Sequence, residues 1–147
     1  MNDIADLYQE LIIDHSSRPR NFRPIDAASS AEGYNPLCGD KVTVYVQMNG
    51  DVVADAGFQG DGCAISKASA SLMTESIKGK TRSEVENLFA DFHDLVTGTG
   101  DPDPKRLGKL AAFSGLREFP TRVKCGTLAW HTLRAALKHE RSLVSTE

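Results

Sequence analysis

The residues in this chain most able to carry chemistry are three cysteines, at positions 38, 63 and 125. An odd number of widely spaced thiols builds no disulfide scaffold. None forms a CxxC pair, so spacing alone gives no zinc ribbon. A cysteine taken at random is more often a small buried apolar residue than a ligand. The neighbourhoods change the odds. Cys38 sits in Asn35-Pro36-Leu37-Cys38-Gly39-Asp40, a turn leading into a strand. Because strand side chains alternate with period two, Cys38 and Asp40 share a face. Cys63 closes Gly60-Asp61-Gly62-Cys63 where a helix opens, and Cys125 follows Val123-Lys124 near the start of the last helix. Helix N-termini favour negative charge. Cys38, Asp40, Cys63 and Cys125 together make a four-donor set for zinc. With its metal the set stays anionic, and Lys124 or Arg122 could offset that charge.

The elements that must bring these positions together are legible. Ile4, Leu7, Tyr8, Leu11 and Ile12 form one apolar stripe of a helix, broken by Ser16 to Asn21. A short edge strand is expected within residues 27–34. Val42, Val44, Val46 and Met48 alternate with polar neighbours, Asn49-Gly50 turns the chain, and Val52, Ala54, Ala56 and Phe58 alternate again. A three-residue loop, Asn49-Gly50-Asp51, pairs Met48 with Val52, Val46 with Ala54 and Val44 with Ala56, keeping both apolar sets on one face. Continued outward, that register puts Asp40 opposite Gly60, Cys38 opposite Gly62, and Cys63 beside Cys38. Ile65, Ala68, Leu72 and Met73 mark a helix stopping near Gly79. Thr81 and Glu84 have capping-box spacing and open a helix with the stripe Val85, Leu88, Phe89, Phe92 and Val96. A turn-rich loop over 98–104 precedes a short helix near Leu107 to Ala111. The last helix carries Leu128, Ala129, Leu133, Ala136 and Leu137. The expected fold is α+β, a single domain over 1–147 with a small antiparallel sheet of two or three strands covered on one face by helices.

Composition narrows the function classes. At 147 residues, with 40% hydrophobic and 25% charged residues, the chain has the ordinary mix of one globular domain. Its longest apolar run is Leu110 to Phe113, so no membrane span is expected. A net charge of −3 argues against a nucleic-acid partner. The acidic, mixed start lacks the form of a signal peptide, so a cytoplasmic protein with reduced thiols is expected.

Three segments also carry a resemblance: Asn35 to Asp40, Gly62-Cys63-Ala64-Ile65-Ser66-Lys67-Ala68-Ser69-Ala70-Ser71, and Val123-Lys124-Cys125. Together, in this order, they resemble the three signatures of the IscU/NifU-N family of iron–sulfur cluster assembly proteins. Scaffold-type members carry a histidine immediately before the third cysteine, where Lys124 stands here. They also run a shorter segment between the second and third cysteines than the 62 positions of this chain. Both departures, with Thr127 to His131 after the cysteine, resemble the SUF-type branch. The chaperone-recognition motif of scaffold members is degraded here to Phe119-Pro120-Thr121-Arg122-Val123-Lys124. What the resemblance implies is a zinc-dependent sulfur acceptor working with a cysteine desulfurase and other SUF assembly proteins. Zinc would be held by Cys38, Asp40, Cys63 and Cys125, with Cys38 as the acceptor thiol. The same thiolates suit iron or a [2Fe–2S] cluster on a scaffold, and a structural zinc module is the third reading.

The remaining residues read more plainly. His15 continues the apolar stripe of its helix, His93 lies among charges, and His139 is near the C-terminus; His131 is off the Cys125 face. Trp130 lies off the main stripe, which suggests a rim position or a partner contact. Ala68 to Ser71 suits close helix packing. Gly60-Asp61-Gly62 is no phosphate loop, since no Gly-Lys-Ser/Thr follows.

Overall fold

The computed structural model describes residues 3–26, 28–36, 39–138 and 144–145. Cys38 and His139 lie outside the described residues. Three antiparallel strands, β1 (Ser29–Asn35), β2 (Asp40–Asn49) and β3 (Val52–Asp61), form the sheet, and the two residues of β4 (Val144–Ser145) add in parallel to β1. The order is β3-β2-β1-β4. Helices α1 (Asp3–Ser17), α2 (Ala64–Ile77), α3 (Arg82–Thr97), α4 (Pro104–Leu107) and α5 (Pro120–Leu137), with a 3₁₀ stretch over Gly108–Glu118, make up the rest. The α+β reading holds: α5 lies across β1 and β2, α2 packs on α5, and α1 on α2.

The hairpin register departs from the sequence expectation. The loop has two residues, Gly50 and Asp51, because Asn49 pairs with Val52 and Met48 with Val53. A bulge then inserts Ala54 opposite the Gln47–Met48 step, so Val46 meets Ala56 and Val44 meets Phe58. The physical reason is burial. Val53, Ala56 and Phe58 point into the core while Val52 and Ala54 are exposed, and only an extra residue lets all three face inward. At the far end Val42 therefore opposes Gly60 and Lys41 opposes Asp61, two residues along from the expected pairing.

The free rim of β3 is covered. Phe58 N–H donates to the Asn21 carbonyl (3.0 Å), and Val53 N–H donates to that of Lys80 (2.9 Å). Arg23 grips Asp55 through both carboxylate oxygens.

The helices start and stop where their residues dictate. Thr81 and Glu84 close a full capping box on α3, whose expected stripe is buried, and α3 ends at Gly98 in the left-handed region. Tyr8, Leu11 and Ile12 of α1 pack on the core, and His15 is buried with them. Trp130 corrects its expected rim position. It is fully buried (0% exposed), stacked on Phe92 with centroids 4.7 Å apart, and its indole N–H reaches Ser69 Oγ at 3.2 Å. Helix α5 is buried on nearly all sides, so its sequence shows no single apolar face from which to place a tryptophan.

Candidate metal centre

Three sequence-distant segments meet at the end of the sheet where β2 begins and β3 ends. Asn35, the last residue of β1, pairs with Asp40, the first of β2. Gly39 between them is left-handed (φ 72°), and its N–H closes the turn on the Asn35 carbonyl at 2.8 Å. Across the hairpin, Gly60 combines φ 148° with an approach so close that a Cβ would run into the Lys41 carbonyl. A larger residue there would push the end of β3 away from β2. The chain then passes Gly62, over which Asp40 Oδ1 sits, and Cys63 caps α2.

This geometry brings Asp40, rather than the expected Gly60–Asp40 pair, against Cys63. The Cys63 backbone N–H donates to Asp40 Oδ1 at 2.9 Å, and the Cys63 thiol faces Oδ2 at 3.8 Å. Cys125, in the second turn of α5, completes the group. The carboxylate oxygen and the two sulfurs all lie within 4.8 Å of one another. Of the four expected site residues, Asp40, Cys63 and Cys125 are brought together, and Cys38 is the one outside the described residues.

Burial differs sharply among them. Asp40 is 1% and Cys125 2% exposed, whereas Cys63 is open to solvent. Although it stands at the mouth of the hairpin, Asp40 is an interior carboxylate. Among the described residues no lysine, arginine or histidine pairs with it, and a buried charge without a counter-charge is expensive. A cation among the donors would offset that cost. The donor set fits one ion: bonds of about 2.3 Å to sulfur and 2.0 Å to oxygen put tetrahedral zinc ligands about 3.8 Å or less apart, a small contraction from these positions.

Two supporting residues were not singled out from sequence. Asn35 is buried (0% exposed) and its side-chain N–H donates to Cys125 Sγ at 3.6 Å. Ser69 Oγ donates to the Gly126 carbonyl at 2.5 Å while accepting from Trp130, which ties α2 to α5 one residue beyond Cys125. Both lie inside the quoted motifs, yet their roles depend on partners 90 and 57 positions away. Among the described residues, the histidines stand apart from the centre. His131 meets both Phe89 and His93 edge-on, and burial, then the charges of His93 and Arg134, hold its pKa below the usual 6.5.

The family of NifU-like N-terminal domains matches residues 7–142. The chain belongs to that family. Among NifU-N relatives, the zinc-dependent sulfurtransferase SufU of Bacillus subtilis (strain 168) is 39% identical over 134 residues, covering 91% of each chain. The iron–sulfur cluster assembly scaffold protein IscU of Streptococcus pyogenes serotype M1 is 37% identical over 138 residues, covering 94% of this chain and 87% of that one. A crystal structure of a proposed iron–sulfur cluster assembly scaffold protein for the SUF system from Fervidobacterium islandicum AW-1 superposes with a TM-score of 0.83 at 39% identity, over 87% of this chain and 94% of that one. Two NifU-N names, scaffold and sulfurtransferase, thus stand at nearly equal identity, and similarity alone does not separate them. Among the described residues, no helix is long and apolar enough to cross a membrane.

Proposed function

We propose that this chain, acting as one NifU-N unit, is a zinc-dependent sulfur acceptor that serves iron–sulfur cluster assembly. Its sulfur would come from the persulfide of a SUF-type cysteine desulfurase. The observation that carries the reading is the convergence of Asp40, Cys63 and Cys125 within 4.8 Å, with one thiol exposed and a carboxylate buried beside it. The name of the Bacillus subtilis relative supports zinc, as do Lys124 in place of histidine and the long second-to-third cysteine segment.

Cys38, Asp40, Cys63 and Cys125 would hold the zinc, which when bound keeps thiols deprotonated at neutral pH. In the transfer, the Cys38 thiolate attacks the outer sulfur of the enzyme persulfide. A new S–S bond forms on Cys38, the enzyme's own S–S bond breaks, and the enzyme cysteine leaves as thiolate. No external oxidant or reductant is consumed. Asp40, a hard oxygen donor among soft sulfurs, makes the coordination adaptable. The reaction needs reduced thiols, as in a cytoplasm. A scaffold role is the second reading, favoured by the Streptococcus pyogenes relative's name and by thiolates that suit iron equally. A closed structural zinc module is disfavoured by the exposure of Cys63.

The test is metal analysis of protein purified without added metal, together with desulfurase turnover. One zinc per chain, no visible absorption, and loss of desulfurase stimulation in Cys38→Ser with an intact fold are expected. Stoichiometric iron and sulfide with charge-transfer bands would move the scaffold reading first, and full stimulation by Cys38→Ser would overturn the acceptor assignment.

A further inference from the structure

The two described thiols are held in opposite ways. Cys63 Sγ is exposed and faces Asp40 Oδ2, which in its ionised form only accepts hydrogen bonds. Among the described residues no N–H donates to that sulfur. Cys125 Sγ is buried in α5, and the Asn35 carboxamide donates to it across the gap from β1. A buried carboxamide must place its N–H somewhere. Here it is placed on sulfur by a residue whose backbone is also the register partner of Asp40.

We infer that Asn35 is a positioning residue that keeps Cys125 as the lasting anchor of the metal centre, leaving exchange to the exposed side, an inference that rests on the metal-centre reading above. A hydrogen bond to a thiolate draws electron density from the sulfur and lowers the energy of its lone pairs. A sulfur treated in this way is a poorer nucleophile, so it is less readily alkylated or sulfurated. Its anchoring to β1 also holds it where the other donors converge. Cys63 receives neither restraint through its sulfur.

The experiment uses full-length protein loaded with cobalt(II), whose sulfur-to-metal charge-transfer band reports electron density at the thiolates. In Asn35→Leu, of similar size but without a donor, the band should move to longer wavelength. Iodoacetamide labelling of Cys125, followed by mass spectrometry, should speed up several-fold while Cys63 labelling changes little. Asn35→Gln, which keeps a donor, should restore part of both. Unchanged band position and unchanged Cys125 labelling in Asn35→Leu would overturn the inference. Where Asn35→Leu fails to fold, the wild-type zinc protein under stepwise chelation decides: Cys63 should label before Cys125, and the reverse order overturns it. Wild-type protein that takes up no metal would instead count against the metal centre itself, and Cys125 labelling in the metal-free variants would still decide the role of Asn35.

Discussion

Helices α2 and α5 each change character along their length, and the two stretches obey different rules. At their opening turns they hold Cys63 and Cys125, close to the tightly packed Gly60 and Gly62, with a carboxylate that no described lysine, arginine or histidine pairs with. Further in, Ser69 of α2 donates to the Gly126 carbonyl of α5 and accepts from Trp130, whose ring stacks on Phe92 of α3, so each named polar group has a partner. The inner stretch is complete as protein alone. On the metal-centre reading, a bound ion would complete the outer one. The contrast teaches that the interior supplies the precision with which the thiols are presented, while the outer turns contribute little stability of their own.

That contrast breaks most visibly at Trp130. Trp130→Ala should cost about 3–5 kcal/mol in the metal-free protein, by lost packing and the cavity left behind. Because α5 would then seat loosely on α2, metal retention against a chelator should fall as well. Denaturant unfolding and metal competition on the same variant check both, and full metal retention in a destabilised protein would separate the two regions. Ser69→Ala is the finer cut. It leaves the Trp130 N–H and one Gly126 carbonyl bond unmet, at about 1–3 kcal/mol, with a smaller loss of metal affinity.

The smallest effect expected is a pH dependence from α1. Ser71 Oγ accepts from the Arg20 N–H at 2.8 Å and lies 2.6 Å from His15 Nδ1, while His15 Nε2 is 3.7 Å from Glu75. Burial, then the charge of Arg20, holds the His15 pKa below its usual 6.5. The unfolded chain therefore takes up the proton more readily than the folded one. Stability should be complete above about pH 6.5 and decline as pH falls below it. His131 is shifted in the same direction and adds to the decline. Melting temperatures of metal-free protein across this range should fall on acidification, with a shallower slope in His15→Gln. An unchanged slope would place the effect on His131.

Sequence legibility followed the same boundary. The helices were readable because their apolar residues recur at helical spacing and because Thr81 and Glu84 form a local cap. The convergence of Asp40, Cys63 and Cys125 was readable because they lie in or next to recognisable motifs. The hairpin register was not, since Val52-Val53-Ala54 is apolar throughout and alternation cannot say which phase faces inward. Trp130 was misplaced because a helix buried on most sides has no privileged face. Asn35 and Ser69 act through contacts with α5 that no local pattern encodes.

The covered rim of β3 has a further consequence. An open strand edge is a template on which a second chain can add, and proteins that expose one risk endless association. Here Asn21 and Lys80 occupy the outward backbone groups of Phe58 and Val53, and the Asp55 side chain takes the Ala56 N–H at 2.9 Å. On the proposed function, a sulfur carrier that loads and unloads must stay dispersed while its outer turns loosen. The satisfied rim removes one route by which such a loosened molecule would polymerise.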